Sequence, residues 1–154
     1  MRGRAASQDR RGLGLRLIFP SETSFLGLVR DVSRKMAEGA GFDEATASQI
    51  ALAVDEATTN VLEHAYHGAS GRPVELRFRG DAAQFRVDVC DAGDGVDPRE
   101  VPEVDLQQYA SERRTGGLGV HLMGKIMDSV TFQRSGDQNV CCLVKRRPSA
   151  RATT

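Results

Sequence analysis

Residues 55–66 read DEATTNVLEHAY. Glu56, Asn60 and His64 recur at four-residue intervals, so a carboxylate, an amide and an imidazole fall on successive turns along one helical edge, with Tyr66 closing the stretch. Ile50, Ala53, Val54, Ala57 and Val61 follow the complementary helical period and form a side able to pack on a core. A helix of this kind is expected to bury one side and offer the other edge to something polar.

The surrounding chain has 154 residues, 40% of them hydrophobic, which is the size of one domain with a sizeable core. Its formal net charge is zero, which argues against nucleic-acid binding by bulk electrostatics. Basic residues gather at the ends: Arg2, Arg4, Arg10, Arg11 and Arg16 at the front, Lys145, Arg146, Arg147 and Arg151 at the back. Residues 1–12 and 148–154 read as tails around a domain spanning 13–147. Cys90, Cys141 and Cys142 lack zinc-ligand spacing and read as small buried strand residues of a reducing compartment. No run approaches the roughly 20 apolar residues that span a bilayer, so no membrane association is expected and the protein should be cytosolic.

Local patterns divide the domain into nine segments. LGLRLIF alternates as a strand, and SETS offers caps for a helix over about Glu22–Glu38 that buries Phe25, Leu28, Val29, Val32 and Met36. GAGF breaks that helix, Asp43 caps the next, and HGASGRP is a loop. VELRFRG and QFRVDVCDA are strands joined by a tight turn near Gly80 and Asp81. Residues 93–117 hold two prolines and little periodicity, and connections longer than about 12–15 residues in a compact domain usually carry function or are disordered. A helix from about Gly117 to Met127 and a hairpin of SVTFQR and VCCLVKR complete the order β, α, α, β, β, loop, α, β, β. The pattern predicts an α+β two-layer sandwich with a mixed, mostly antiparallel sheet and helices on one face.

Three segments carry chemistry. In the first, an amide at Asn60 can ligate Mg²⁺ while a carboxylate at Glu56, one turn away, accepts a proton; Asp55 lies too far around the helix. His64 reads as an orienting or hydrogen-bonding residue, because no second His or Cys accompanies it. In the second, DAGDGVDP (91–98), Asp91 at a strand end can accept a hydrogen bond from an exocyclic amine, and Gly93 and Gly95 permit close approach to a flat ring. A calcium loop is excluded because glycines and Pro102 stand where oxygen ligands belong. In the third, TGGLGVHLMGKIMD (115–128), Gly116, Gly117 and Gly119 open a helix, an arrangement that receives phosphate oxygens, although neither a Walker loop nor a Rossmann fingerprint is present.

In this order and spacing the three segments resemble the N, G1 and G2 boxes of the GHKL ATPase superfamily, which includes gyrase, heat-shock chaperones and histidine kinases. AVDEATTNVLEHAY, DAGDGVDP, GGLGVHLMGKIMD and the closing LVKR are similar to the small serine-protein kinases that act as anti-sigma factors, over roughly Leu13 to Arg147. The resemblance implies the Bergerat, histidine-kinase-like ATPase fold, with ATP and Mg²⁺ as cofactors. It further implies that Glu56 is the general base, that Asn60 ligates Mg²⁺ and that Asp91 binds the adenine amine in a pocket shaped by Gly93 and Gly95. Gly117, Leu118 and Gly119 would give phosphate-facing backbone, and residues 96–115 would form a lid. Arg113 and Arg114 at its end either reach the γ-phosphate or a partner, or are solvated. Relatives often place Thr near the start of the last strand, where this chain has DQNVCC, so a phosphate or water contact from that hydroxyl is not expected.

The implied partners are a STAS-domain anti-anti-sigma factor, phosphorylated on serine, a sigma factor, and a second copy of the chain in a homodimer. Arg30 and Arg34 on the first helix are candidates for contacting the STAS partner. The competing reading is a nucleotide-gated partner-binding module without phosphotransfer, because binding demands less exact geometry than catalysis.

Overall fold

The computed structural model describes residues 12–94 and 117–148; the tail readings at 1–11 and 149–154 and the lid reading at 96–115 lie outside these. The elements run β1 (Leu13–Pro20), α1 (Leu26–Gly39), α2 (Glu44–Asn60), β2 (Pro73–Gly80), β3 (Gln84–Asp91), α3 (Gly117–Ile126), β4 (Ser129–Ser135) and β5 (Gln138–Arg146). The first helix begins later than its sequence suggests, because Thr23–Phe25 form a 3₁₀ turn and no side chain caps it. Asp43 does cap α2, accepting a hydrogen bond from Thr46 N at 2.8 Å. Between the helices Gly41 takes φ +99°, and the Phe42 and Gly41 amides bond back to Ala37 and Glu38 carbonyls. That is a Schellman stop, which needs a residue tolerant of positive φ.

The described strands form one sheet of order β1-β2-β3-β5-β4 in which every pairing is antiparallel. The expected mixed character is absent here for a topological reason. The crossover through α3 would set β4 parallel to β3, but β5 folds back between them and separates the pair. The α+β class and the helix-covered single sheet stand as read.

Alternation sends Val74, Leu76, Phe78, Phe85, Val87, Val89 and Leu143 inward from β2, β3 and β5, all essentially buried. They meet Ile50, Ala53, Val54 and Ala57 of α2, while Val29, Ser33 and Ala37 of α1 and Met123 of α3 close the flanks. The small residues of α2 let it lie between α1 and α3 and over β3 and β5. Leu28, expected in this interface, is 47% exposed, because the buried stripe of α1 runs through Val29, Ser33 and Ala37. All three cysteines are buried and unpaired, and burial pushes the Cys90 and Cys142 thiols up to about 11. No helix among the described residues is long and apolar enough to cross a membrane.

On the opposite face of the sheet, the Glu75 carboxylate receives Arg77 Nε at 2.6 Å and Arg16 Nε from β1, and these bonds pull its pKa down to about 2. A depressed folded-state pKa contributes stability above the unfolded value and loses it as pH falls toward the folded value. Glu75→Gln should therefore cost about 1–2 kcal/mol at pH 7, given how exposed Arg16 is, and progressively less from about pH 4.5 down to pH 2. Urea unfolding of both forms across that range checks it; a pH-independent difference would contradict the assignment.

Candidate functional site

The helical period that places Glu56 and Asn60 along one edge holds through Asn60 and then changes. Val61–Ala65 form a π turn, closed by Tyr66 N to Val61 O at 3.0 Å, so His64 leaves the four-residue register on which its place in the stripe rested. His64 makes no side-chain hydrogen bond with a described residue. The wider turn instead aims the Ala65 carbonyl at the end of β3, where it accepts from Asp94 N at 3.2 Å. Gly93 lies against the same peptide. A Cβ there would sit 2.7 Å from the Ala65 carbonyl carbon and closer still to its oxygen, so only glycine fits.

Tyr66 locks this junction and had no role assigned from sequence. Its ring is buried, its hydroxyl donates to Pro73 O at 2.5 Å and accepts from Ala92 N at 2.8 Å, and Arg72 lies 4.7 Å above the ring centroid. The end of α2 and the loop after β3 are thereby tied together at consecutive peptides.

Asp91, the last residue of β3, is buried, and its Oδ1 accepts from Gly93 N at 2.9 Å and from Asn139 Nδ2 at 2.8 Å. Oδ2 takes no hydrogen bond from a described residue, which leaves an acceptor at the strand end. Asn139 is the second residue that sequence reading missed; the register that sets it opposite Asp91 appears only once β5 is placed beside β3.

Glu56 is half-buried on α2 and faces the first turn of α3: a Cβ on Gly119 would lie 2.6 Å from Glu56 Oε2. Burial raises the Glu56 pKa above the ordinary glutamate value, with smaller contributions from the negative charges of Asp55 and Glu63. Asp55 is turned to α1, where its Oδ2 accepts from Arg30 Nη1 at 3.3 Å. Glu56 and Asn60 make no side-chain hydrogen bond with any described residue, so a carboxylate and an amide oxygen one turn apart remain open. Gly117 and Leu118 lie in the first turn of α3 with Gly119, and free N–H groups of that turn suit phosphate oxygens. The far end of α3 is pinned by Lys145 Nζ, which donates to Ile126 O at 2.6 Å. Gly95, Arg113 and Arg114 lie outside the described residues.

A helix edge with an open acid and amide, a strand-end carboxylate and a glycine-opened helix make up the candidate site. Residues 19–145 match the family model described as the histidine kinase-like ATPase domain, and the chain belongs to that family. Within it the chain is similar to proteins named serine-protein kinase RsbW. The Bacillus velezensis protein is 31% identical over 126 residues, covering 79% of this chain and 78% of its own. The Bacillus subtilis protein is 30% identical over 119 residues, 74% of each. Among solved structures, the crystal structure of the SiaB-SiaC complex from Pseudomonas aeruginosa superposes with a TM-score of 0.57 at 13% identity, covering 90% of this chain and 92% of that one, a likeness of fold.

Because the obstacle at Gly93 is backbone, Gly93→Ala should destabilise the domain by about 2–3 kcal/mol, or roughly 6 °C in Tm. Gly119→Ala meets only the end of the Glu56 side chain and should cost under about 1 kcal/mol. Calorimetric melting of the two variants checks the contrast; equal losses would contradict the contact described at Gly93.

Proposed function

We propose that this protein is an anti-sigma factor with serine-protein kinase activity, which uses Mg-ATP to phosphorylate a serine of a STAS-domain anti-anti-sigma factor and sequesters a sigma factor. The observation that carries the reading is the approach of Glu56 to the first turn of α3, which sets an uncommitted carboxylate of raised pKa beside phosphate-binding backbone. The likeness to RsbW kinases supports the same assignment.

Each residue then has a task. Asp91 accepts the exocyclic amine of adenine, with Gly93 and Gly95 making room for the ring. Backbone of Gly117, Leu118 and Gly119 receives phosphate oxygens, and Arg114 is assigned to the same phosphates. Asn60 would hold Mg²⁺: its amide oxygen, which takes no hydrogen bond from a described residue, is a donor suited to a hard cation. Bound there, the metal would supply charge neutralisation for the phosphates. Glu56 takes the proton from the acceptor serine as the serine oxygen attacks the γ-phosphorus and the bond from that phosphorus to the β–γ bridging oxygen breaks, ADP leaving with the bond's electron pair. Phosphoryl transfer depends on positioning and electrostatic stabilisation, and Glu56, Asn60 and Asp91 are mounted on the packed α2 and β3. Homodimerisation belongs to the same proposal, and light scattering showing a monomer at micromolar concentration would count against it.

The test is transfer of labelled γ-phosphate from Mg-ATP to STAS-domain proteins. Glu56→Gln should lower transfer by roughly 100-fold or more while leaving Mg-ADP affinity within about twofold. Because burial raises the pKa of Glu56, and a base works only when deprotonated, kcat/KM should begin to fall at a higher pH than for a solvated glutamate. Unchanged transfer in Glu56→Gln would remove that residue from its role. No label on any STAS protein, together with a nucleotide-dependent complex, would favour the gated binding module.

A further inference from the structure

Five residues form one row across the inward face of the sheet at its site end: Phe19, Val74, Asp91, Asn139 and Arg134, each opposite the next in register. The first two are apolar, and the last three form a polar relay from β3 through β5 to β4. Directly opposed residues in antiparallel strands have Cβ atoms about 4.5–5.5 Å apart, within reach of short polar side chains.

The hydrogen bonds of the relay all run toward Asp91. Arg134 Nη1 donates to Asn139 Oδ1 at 3.1 Å. Asn139 Nδ2 donates to Asp91 Oδ1 at 2.8 Å and to Gly93 O at 3.0 Å. The neighbours fix the orientation of the amide, because a flipped Asn139 would set its oxygen against a carboxylate and a carbonyl and its nitrogen against a guanidinium. With Gly93 N also on Oδ1, that oxygen is filled by two donors and Oδ2 is the acceptor left over.

We infer that Asn139, oriented by Arg134, is the positioning residue that sets base selectivity, holding Asp91 so that one fixed carboxylate oxygen meets the base. This rests on the nucleotide reading above and extends it to a residue outside the three motifs. A base with an exocyclic amine at that place supplies the donor that Oδ2 requires. A base carrying a carbonyl oxygen there sets acceptor against acceptor. Without Asn139, Asp91 keeps only the Gly93 amide, and its carboxylate can turn toward a ring N–H, which relaxes the choice. Asn139 lies in DQNVCC at the start of β5, and its amide contacts the Asp91 carboxylate.

Mg-ADP and Mg-IDP, which differ in amine against carbonyl at the relevant ring position, separate positioning from general loosening. Titration calorimetry of the wild type should give clearly tighter binding of Mg-ADP. Asn139→Ala should weaken Mg-ADP about tenfold and Mg-IDP less than about threefold, lowering the affinity ratio. Asn139→Thr, which keeps a donor, should restore part of the ratio. If Asn139→Ala fails to fold, Arg134→Ala at the exposed end of the row makes the same test, with the ratio falling about twofold. A ratio unchanged in the folded variant, whether both ligands weaken equally or neither does, overturns the inference. Absence of Mg-ADP binding in the wild type would overturn the nucleotide reading itself, a failure visible before any variant is made.

Discussion

The arrangement depends on one backbone contact, the seating of Gly93 against the Ala65 carbonyl. Across it the end of α2 and the end of β3 become a single unit, and Asp94 N and the Tyr66 hydroxyl bond to either side of it. The contact exists because α2 unwinds into a π turn that turns its last carbonyls toward the sheet. Ordinary α-helical bonds would have kept the Ala65 carbonyl along the helix axis. Burial of α2 is what lets it act as a mount. Its alanine-rich face permits close packing on β3, β5, α1 and α3, so the edge bearing Glu56 and Asn60 is held by the core.

The electrostatic layout follows from that mounting. Near Glu56 the described groups are acidic or neutral, and partial burial favours its proton-accepting form only at raised pH. At Asp91 two amide donors, Gly93 N and Asn139 Nδ2, converge on one carboxylate oxygen. The two carboxylates are thus given different surroundings, one part-buried without a hydrogen-bond partner among the described residues and one held by amide donors. The third element, α3, is anchored at its far end by Lys145.

Much of this was legible in the sequence, for identifiable reasons. The core face of α2, the Asp43 cap and the alternating strands are local patterns, and local patterns survive folding when burial reinforces them. Glu56, Asn60, Asp91 and the glycines stood out because their residue types at those spacings suit nucleotide chemistry. What escaped was non-local. The antiparallel sheet depends on β5 inserting between β3 and β4, the bond of Asn139 to Asp91 depends on that register, and Tyr66 bonds to the distant Ala92 peptide. The π turn and the exposure of Leu28 escaped because each departs from a period the sequence continues to display.

On the function proposed above, α2, β3 and α3 jointly bind an adenine nucleotide and Asp91 reads the base. Calorimetric titration of the wild-type chain and Asp91→Asn with Mg-ADP tests it most directly. A single saturable site per chain is expected, weakening by roughly tenfold or more when the carboxylate becomes an amide. Binding of equal strength in Asp91→Asn, or no binding by the wild-type chain, would contradict it.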